Sequence, residues 1–225
     1  MRRVRQHVNP LKSDLLEIEV PRVEAPPGRR LEVELGSAEA HFLMDLARVD
    51  PQGMYVGVEI RREVVDRANR AARAAGLDNL RSVFANMSVD LPRLFAAGSV
   101  GRFHLNFPDP WWKSRQQKRR VVNPLLAQDI HAALAPGGEL FVETDIFDIA
   151  LEAMAVLEGL DDDGRARFAN TIASWSFLPE NPFAARSRRE KQCDAEGAKI
   201  WRLLYRKAAA PVPAAGGHQA GLAGG

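Results

Sequence analysis

The chain has 225 residues, of which 46% are hydrophobic and 27% are charged, an ordinary mixture for a globular protein with a sizeable core. Its longest apolar stretches are far too short to cross a bilayer, and its first ten residues lack the hydrophobic block of a secretory signal. Cys193 is the only cysteine, which excludes an intrachain disulfide and makes a reducing cytoplasm the expected location.

The basic residues are unevenly distributed along the chain. The formal net charge is only +2. Nevertheless, the segment from Trp111 to Arg120 contains no acidic residue and five basic ones, namely Lys113, Arg115, Lys118, Arg119 and Arg120. Such a patch favours a polyanionic partner. Taken alone, however, a run of charge is more often a solvated loop.

Short apolar runs alternate with amphipathic stretches from Leu31 onward. The runs that favour strands are Leu31–Leu35, Met54–Ile60, Leu80–Phe84, Arg102–Phe107, Glu139–Glu143 and Ala198–Tyr205. Helical spacing is found around Phe42, Leu43 and Leu46, in Glu63–Ala75, and in a stretch that Asn123-Pro124 begins and Pro136-Gly137-Gly138 ends. This alternation predicts an α/β fold with a mostly parallel sheet and helices on both faces.

The composition divides the chain into three segments. Residues 1–27 are predicted to form a basic N-terminal arm that closes with Pro26-Pro27-Gly28. Residues 28–207 contain the alternating pattern and are predicted to form the folded domain. Residues 208–225 are mostly Ala, Gly and Pro, which predicts a disordered tail.

Polar residues follow the first three predicted strands, where an open α/β sheet binds its ligands. Gly36 permits a sharp turn and the close approach of a ligand, although Ala38 and Ala40 make a poor match to a dinucleotide phosphate fingerprint. Glu59 would accept hydrogen bonds from both ribose hydroxyls of a nucleoside cofactor, and the amide of Asn86 would pair with an adenine edge. Each residue also has an alternative interpretation. Gly36 could belong to a plain strand-to-helix turn, Glu59 could be a surface carboxylate, and Asn86 could cap a turn.

The fourth predicted strand leads directly into the sequence Phe-Pro-Asp-Pro-Trp-Trp-Lys at residues 107–113. Two prolines bracket Asp109 and stiffen the backbone around its carboxylate. Trp111 and Trp112 offer flat apolar faces on which a base can stack. Lys113 begins the basic run. A carboxylate on a stiff backbone is followed here by aromatic rings and then by cations. This order favours a site that modifies nucleic acid over a purely structural turn.

With this block the chain resembles the tRNA (guanine-N7)-methyltransferase family. The resemblance spans roughly residues 2–207 and includes further motifs: Glu34 before the glycine turn, Gly57-Val58-Glu59, Pro136-Gly137-Gly138 leading to Thr144-Asp145, and Ser187-Arg188-Arg189-Glu190 in place of the family's Thr-Lys/Arg-x-Glu motif. It implies a Rossmann-like class I methyltransferase with a seven-stranded, mostly parallel sheet. It also implies S-adenosyl-L-methionine (AdoMet) as co-substrate, no metal, and N7 of a guanosine in the tRNA variable loop as the methylated atom.

The resemblance assigns roles to particular residues. The residues that would contact AdoMet are Glu34, Gly36, Glu59, Asn86 and Asp109. The residues that would contact the target nucleotide are Lys113, Asp145, Ser187, Arg188, Arg189 and Glu190. Because guanine N7 carries no proton, the catalytic role of Asp109 is expected to be positioning and charge stabilisation and not general base catalysis, with Asp145 as the second candidate.

Two other classes of protein stay open at this point. One is a different α/β enzyme, either a small-molecule methyltransferase or a nicotinamide dehydrogenase. The other is a non-catalytic RNA-binding module that has lost AdoMet through Ala38 and Ala40. No accessory subunit is indicated, and a monomer or a homodimer is expected.

Overall fold

The computed structural model describes residues 9–10, 13–110, 121–159 and 165–213. The strands are β1 (Leu31–Leu35), β2 (Met54–Glu59), β3 (Leu80–Phe84), β4 (Val100–Asn106), β5 (Leu134–Thr144), β6 (Arg165–Asn170) and β7 (Trp201–Pro213). The helices are α1 (His41–Val49), α2 (Arg62–Ala74), α3 (Leu91–Leu94), α4 (Pro124–Ala133), α5 (Phe147–Leu157) and α6 (Arg188–Glu196), and a short 3₁₀ turn lies at Ser13–Leu15.

The strands form one seven-stranded sheet in the order β3-β2-β1-β4-β5-β7-β6. The first five strands of this order pair in parallel, whereas β7 is antiparallel to both β5 and β6. The predicted mostly parallel seven-stranded sheet is therefore confirmed. The strand order reverses between β1 and β4, so the carboxyl ends of these two strands flank the crevice in which such sheets bind ligands.

The boundaries of some elements differ from the sequence prediction. Helix α4 ends at Ala133 and β5 begins at Leu134, because Leu134 pairs with Val100. The register then shifts before Arg102 pairs with Glu139, and Gly137 in the irregular part of β5 adopts φ 70°. Strand β7 runs to Pro213, beyond the predicted domain boundary at residue 207. Helices α5 and α6 and strand β6 are not predicted by the sequence pattern.

One face of the sheet is apolar. Its inward side chains include Val33, Phe103, Leu105 and Val142, and they pack in one buried cluster with residues of α4 and α5. Every second residue of a strand faces the same side, and burial on this side stabilises the fold by removing apolar surface from water. This face carries the main hydrophobic core.

The opposite face carries a ladder of alternating charge. Cross-strand neighbours in register are Glu32 of β1, Arg102 of β4, Glu139 of β5 and Arg206 of β7. Arg102 donates to Glu32 at 3.0 Å and to Glu139 at 2.7 Å, and its guanidinium lies 4.4 Å from the ring centroid of Phe183. Because each partly buried charge has a partner of opposite sign, the ladder avoids the cost of an unpaired buried charge.

The described part of the N-terminal segment packs against the domain. The side chains of Leu15, Ile18 and Val23 are buried, and the Val23 N–H donates to the carbonyl of Leu94 at 2.8 Å. Residues 15–23 therefore contribute to the packed body of the protein. In the part of the chain that the structure describes, no helix has the length and apolar character needed to cross a membrane.

Candidate active site

A cleft lies at the carboxyl ends of β1, β2, β3 and β4. It contains about 770 Å³ of empty space, part of it open to solvent, and its lining includes Gly36, Glu59, Asn86 and Asp109. Four of the five residues predicted to contact the cofactor are thus brought together from distant parts of the chain.

The turn after β1 lies directly against β2. Gly36 adopts φ 77°, and the N–H groups of Gly36 and Ser37 both donate to the carbonyl of Val58, at 2.8 and 3.2 Å. A Cβ atom at Gly57 would lie 2.3 Å from Ser37 Oγ. Gly57 is therefore required for this close approach, which holds the turn at the edge of the cleft.

Two alanines in this turn have backbone conformations that favour glycine. Ala38 has φ 46° and Ala40 has φ 57°, where a Cβ atom costs about 1–2 kcal/mol. The methyl group of Ala40 is buried, whereas Ala38 is exposed. The turn therefore keeps a glycine-like shape without glycine at these positions, at a cost in conformational strain.

We expect the substitution Ala38→Gly to stabilise the protein. Relief of strain should exceed the entropy that glycine adds to the unfolded chain, by about 0.5–1 kcal/mol, which corresponds to a rise in Tm of about 1–4 °C. Thermal unfolding measures the change. The matched control is Ala71→Gly at an exposed position within α2, which should destabilise by about 1 kcal/mol. A loss of stability in Ala38→Gly would contradict this account of the turn.

Glu59 is almost completely buried at the end of β2, with 3% of its surface exposed. Its carboxylate accepts hydrogen bonds from the Ala38 N–H at 3.0 Å and from Arg61, through the backbone N–H at 3.0 Å and through Nε and Nη2 at 2.8 Å each. Since a carboxylate has about four acceptor sites, ribose hydroxyls would have to replace some of these donors.

Arg61 is a residue of the cleft that the sequence does not predict. Its hydrogen bonds to Glu59 raise its pKa, burial opposes this shift, and the negative charges of Glu59 and Asp109 raise the pKa further. Arg61 therefore interacts with Glu59 and Asp109, two of the three carboxylates that the sequence assigns to the cofactor. The only sequence signal for it is its position two residues after Glu59.

Asn86 lines the cleft but its side chain is engaged within the protein. It is 1% exposed, and its amide donates to the carbonyls of Pro10 at 2.8 Å and Leu15 at 3.0 Å. Its Oδ1 accepts from the Ser88 N–H at 3.1 Å. Asn86 therefore anchors the N-terminal segment, and Pro10 of that segment joins the lining of the cleft.

A strained turn carries Asp109 into the cleft. Phe107 follows β4 with φ 47°, and its N–H donates to the carbonyl of Glu143 in β5 at 2.8 Å. A bulky residue in this region of φ is a genuine outlier, and such strain clusters at functional sites. The turn places Pro108 and Asp109 on the cleft wall. The predicted contacts of Lys113 and of the basic run that follows fall outside the described residues.

Buried polar residues continue from the cleft along the sheet. Asn106 lines the cleft, and its amide donates to Glu34 Oε1 at 2.8 Å, while Oε2 of Glu34 has no hydrogen-bond partner among the described residues. Glu143 is the register neighbour of Asn106 and is fully buried. Burial and the charge of a nearby carboxylate raise the pKa of Glu34 and of Glu143 to about 8 each.

We expect Glu34→Gln to stabilise the protein increasingly as the pH rises from about 5 to 8. In the unfolded chain Glu34 loses its proton near pH 4.5, whereas in the folded chain it keeps the proton until about pH 8. As the pH rises through this window, the free energy of unfolding of the wild-type protein falls by up to about 1.4 kcal/mol per pH unit, because the folded state binds one more proton than the unfolded state. Chemical denaturation at several pH values measures the difference. If Glu34→Gln raised the free energy of unfolding by the same amount at pH 5 and at pH 8, the raised pKa of Glu34 would be contradicted.

The predicted substrate motif at residues 187–190 has two buried members, one exposed member and one of intermediate burial. Ser187 caps α6 by accepting from the Glu190 N–H at 3.1 Å. Glu190 is fully buried and accepts from Asn181 at 2.8 and 3.0 Å and from Arg202 at 2.8 Å. The two arginines between them, Arg188 and Arg189, have side-chain exposures of 81% and 42%.

Asp145 joins this motif through an ion pair. Its Oδ2 accepts from Arg189 Nε at 3.2 Å, and 19% of its side chain is exposed. The predicted residues thus form a cleft group and a second group around Asp145 and α6. Within β4 and β5, the neighbours Asn106 and Glu143 connect the two. Among the described residues, no cluster of three or more His, Cys, Asp or Glu is arranged to hold a metal ion.

The comparisons with known proteins first define the class. A solved structure of a SAM-dependent methyltransferase from Aquifex aeolicus matches with a TM-score of 0.52 and 12% identity, over 80% of this chain and 82% of the other. The architecture is that of the class I AdoMet-dependent methyltransferases. A family model described as a putative methyltransferase matches residues 29–203.

Close sequence relatives define the family. A tRNA (guanine-N(7)-)-methyltransferase of Synechococcus sp. (strain JA-3-3Ab) is 36% identical over 208 residues, which cover 89% of this chain and 84% of the relative. The enzyme of the same name from Synechococcus elongatus is 36% identical over 210 residues, with coverages of 90% and 95%. The chain belongs to the tRNA (guanine-N(7)-)-methyltransferase family.

Proposed function

We propose that this protein transfers the methyl group of AdoMet to N7 of a guanosine in the variable loop of tRNA. The observation that carries the proposal is the meeting of Gly36, Glu59 and Asp109 in one cleft, at the strand-order reversal of a chain from this family. AdoMet has no phosphate group. A turn with Ala38 and Ala40 therefore suits it better than it suits a dinucleotide, whose pyrophosphate needs close contact with glycine backbone.

Different residues of the cleft contribute to AdoMet binding in different ways. Gly36 brings backbone close to the ligand, and Glu59 accepts from the ribose while it shares its acceptor sites with Arg61. Asn86 supports the base end of the cleft through the segment that contains Pro10, and Glu34 acts through Asn106. When bound, AdoMet supplies an electrophilic methyl group on a sulfonium centre.

The chemistry requires alignment more than proton transfer. Guanine N7 has an in-plane lone pair and no proton, so the protein has to hold the base in line with the methyl group. Methylation leaves positive charge on the imidazole ring of the base, and a nearby fixed carboxylate stabilises that charge as it develops. Asp109 lines the cleft and is the first candidate, and Asp145 is the second. Either carboxylate can also accept from N1–H and the exocyclic amine of guanine, which selects guanine over adenine.

Basic side chains around the cleft would bind the phosphates of the tRNA. Arg188 and Arg189 are the outward members of the substrate motif, with Ser187 and Glu190 holding the helix on which they stand. Lys113 and the basic run to Arg120 would neutralise phosphates, which adds affinity without reading sequence. We further propose that the enzyme acts in the cytoplasm as a monomer or homodimer.

Nucleoside analysis tests the proposal. Unmodified tRNA is incubated with the protein and AdoMet, digested, and analysed by mass spectrometry for 7-methylguanosine. Formation of 7-methylguanosine is expected, and a tRNA with 7-deazaguanosine at the target should gain no methyl group there. Calorimetry with AdoMet separates the enzyme from a non-catalytic RNA-binding module. Absence of AdoMet binding would overturn the proposed activity.

A further inference from the structure

Three aromatic rings form a cluster at one end of the sheet. Phe147 begins α5, Phe177 lies in the loop after β6, and Trp201 begins β7. The ring centroid of Trp201 lies 4.6 Å from that of Phe147 and 4.8 Å from that of Phe177, and the rings are tilted by 45° and 52°. We refer to these three residues as the aromatic cluster.

The aromatic cluster lies beside Asp145. Phe147 follows Asp145 by two residues, so their Cα atoms are at most about 7.6 Å apart. Trp201 is the cross-strand partner of Thr144, the residue that precedes Asp145. The aromatic cluster is thus continuous with the second group of predicted substrate residues.

The aromatic cluster is only partly buried and has a cation beside one of its rings. Phe177 packs against the hydrophobic core, but Phe147 keeps 44% of its surface exposed. The ammonium group of the exposed Lys199 lies 5.3 Å from the ring centroid of Trp201. Asp145, two residues before Phe147, accepts a hydrogen bond from Arg189 Nε at 3.2 Å. Surfaces that bind single-stranded nucleic acid commonly combine aromatic side chains, on which bases stack, with positively charged residues.

We propose that the aromatic cluster stacks on a nucleobase next to the target guanosine in the bound tRNA. This inference rests on the proposed function. A guanosine whose N7 reaches a cleft has to leave its own stack, and its neighbour then loses a stacking partner. The exposed face of Phe147 replaces that partner, and Lys199 and Arg189 complement the adjacent phosphates. Stacking of this kind tolerates any base, because every base has a π-face.

The variant Phe147→Leu tests the proposal, because it keeps an apolar side chain and removes the aromatic face. The KM for tRNA should rise about 5- to 50-fold, with kcat at saturating tRNA and AdoMet affinity nearly unchanged. Phe147→Tyr keeps the ring and should retain the wild-type KM. The matched control is Trp175→Leu, which removes an exposed aromatic side chain outside the aromatic cluster. Thermal unfolding of all three variants establishes that they are folded.

Modified tRNA identifies the stacked base. Three tRNAs carry a single abasic site, placed immediately 5′ of the target, immediately 3′ of it, or in a distant loop. One of the two flanking sites should raise the wild-type KM by about the factor seen for Phe147→Leu, and that tRNA should show no further rise with the variant. The distant site should have no effect.

Several results would overturn the proposal. These are an unchanged KM in folded Phe147→Leu, the same rise in Trp175→Leu, or full additivity of Phe147→Leu with both flanking abasic sites. Failure of the proposed function is distinguishable, because the wild-type protein would then form no 7-methylguanosine on any tRNA. That outcome would remove both proposals, whereas normal methylation with unaltered variant kinetics would remove only the stacking role.

Discussion

The substitution Asp109→Asn is expected to lower kcat by about 100- to 1,000-fold, the usual effect of removing one fixed electrostatic group from a site. Asparagine keeps the shape of the side chain and removes its charge. Asp109 lines the cleft and its charge acts on Arg61, so it is placed where a developing positive charge would be stabilised. Affinity for tRNA should change little, because most of that affinity comes from phosphate contacts.

Single-turnover rates and tRNA binding, measured separately, check this expectation. Asp109→Ala should behave like Asp109→Asn if charge is what matters. Asp148→Asn removes an exposed carboxylate at the start of α5 and serves as the control. Equal losses of turnover and of tRNA binding in Asp109→Asn would indicate that Asp109 has a structural role.

The substitution Glu190→Ala is expected to destabilise the fold by about 3–5 kcal/mol, the typical cost of removing one partner from a buried ion pair. Glu190 is fully buried and accepts from Asn181 and Arg202. Without it, the amide of Asn181 loses both acceptors. Among the described residues, the remaining ion-pair partner of Arg202 is Glu143, whose Oε2 lies 3.7 Å from its Nε. For a chain of this size, Tm should fall by roughly 6–20 °C.

Chemical denaturation of two control variants separates this effect from a general effect on α6. Glu190→Gln keeps an acceptor for Asn181 and Arg202 and should lose clearly less stability. Glu196→Ala changes an exposed residue at the end of the same helix and should alter stability by no more than about 0.5 kcal/mol. A loss in Glu190→Ala as small as that in Glu196→Ala would contradict the importance of the buried pair.

Much of the cleft could be predicted because its signals are local in the chain. Gly36, Glu59 and Asp109 each follow an apolar run, and the carboxyl ends of parallel strands necessarily meet at one edge of a sheet. Hydrophobic periodicity predicted the first four strands and a helix over Glu63–Ala75, which the structure shows at Arg62–Ala74. This prediction succeeded for the same reason, since periodicity depends only on neighbouring residues. The polar helix α6 was not predicted, because a helix with few apolar residues shows little hydrophobic periodicity.

The partners of these side chains depend on tertiary structure. Asn86 matches a cofactor position in the chain, yet its amide donates to Pro10, 76 residues away, and Arg202 reaches Glu190 from a separate strand. Such contacts follow from sheet register and from the path of the N-terminal segment, neither of which leaves a local pattern. The sequence therefore determined which residues stand at the strand ends. Only the three-dimensional packing decided which of them face the cleft, which are buried in ion pairs, and that Phe147 and Trp201 meet beside Asp145.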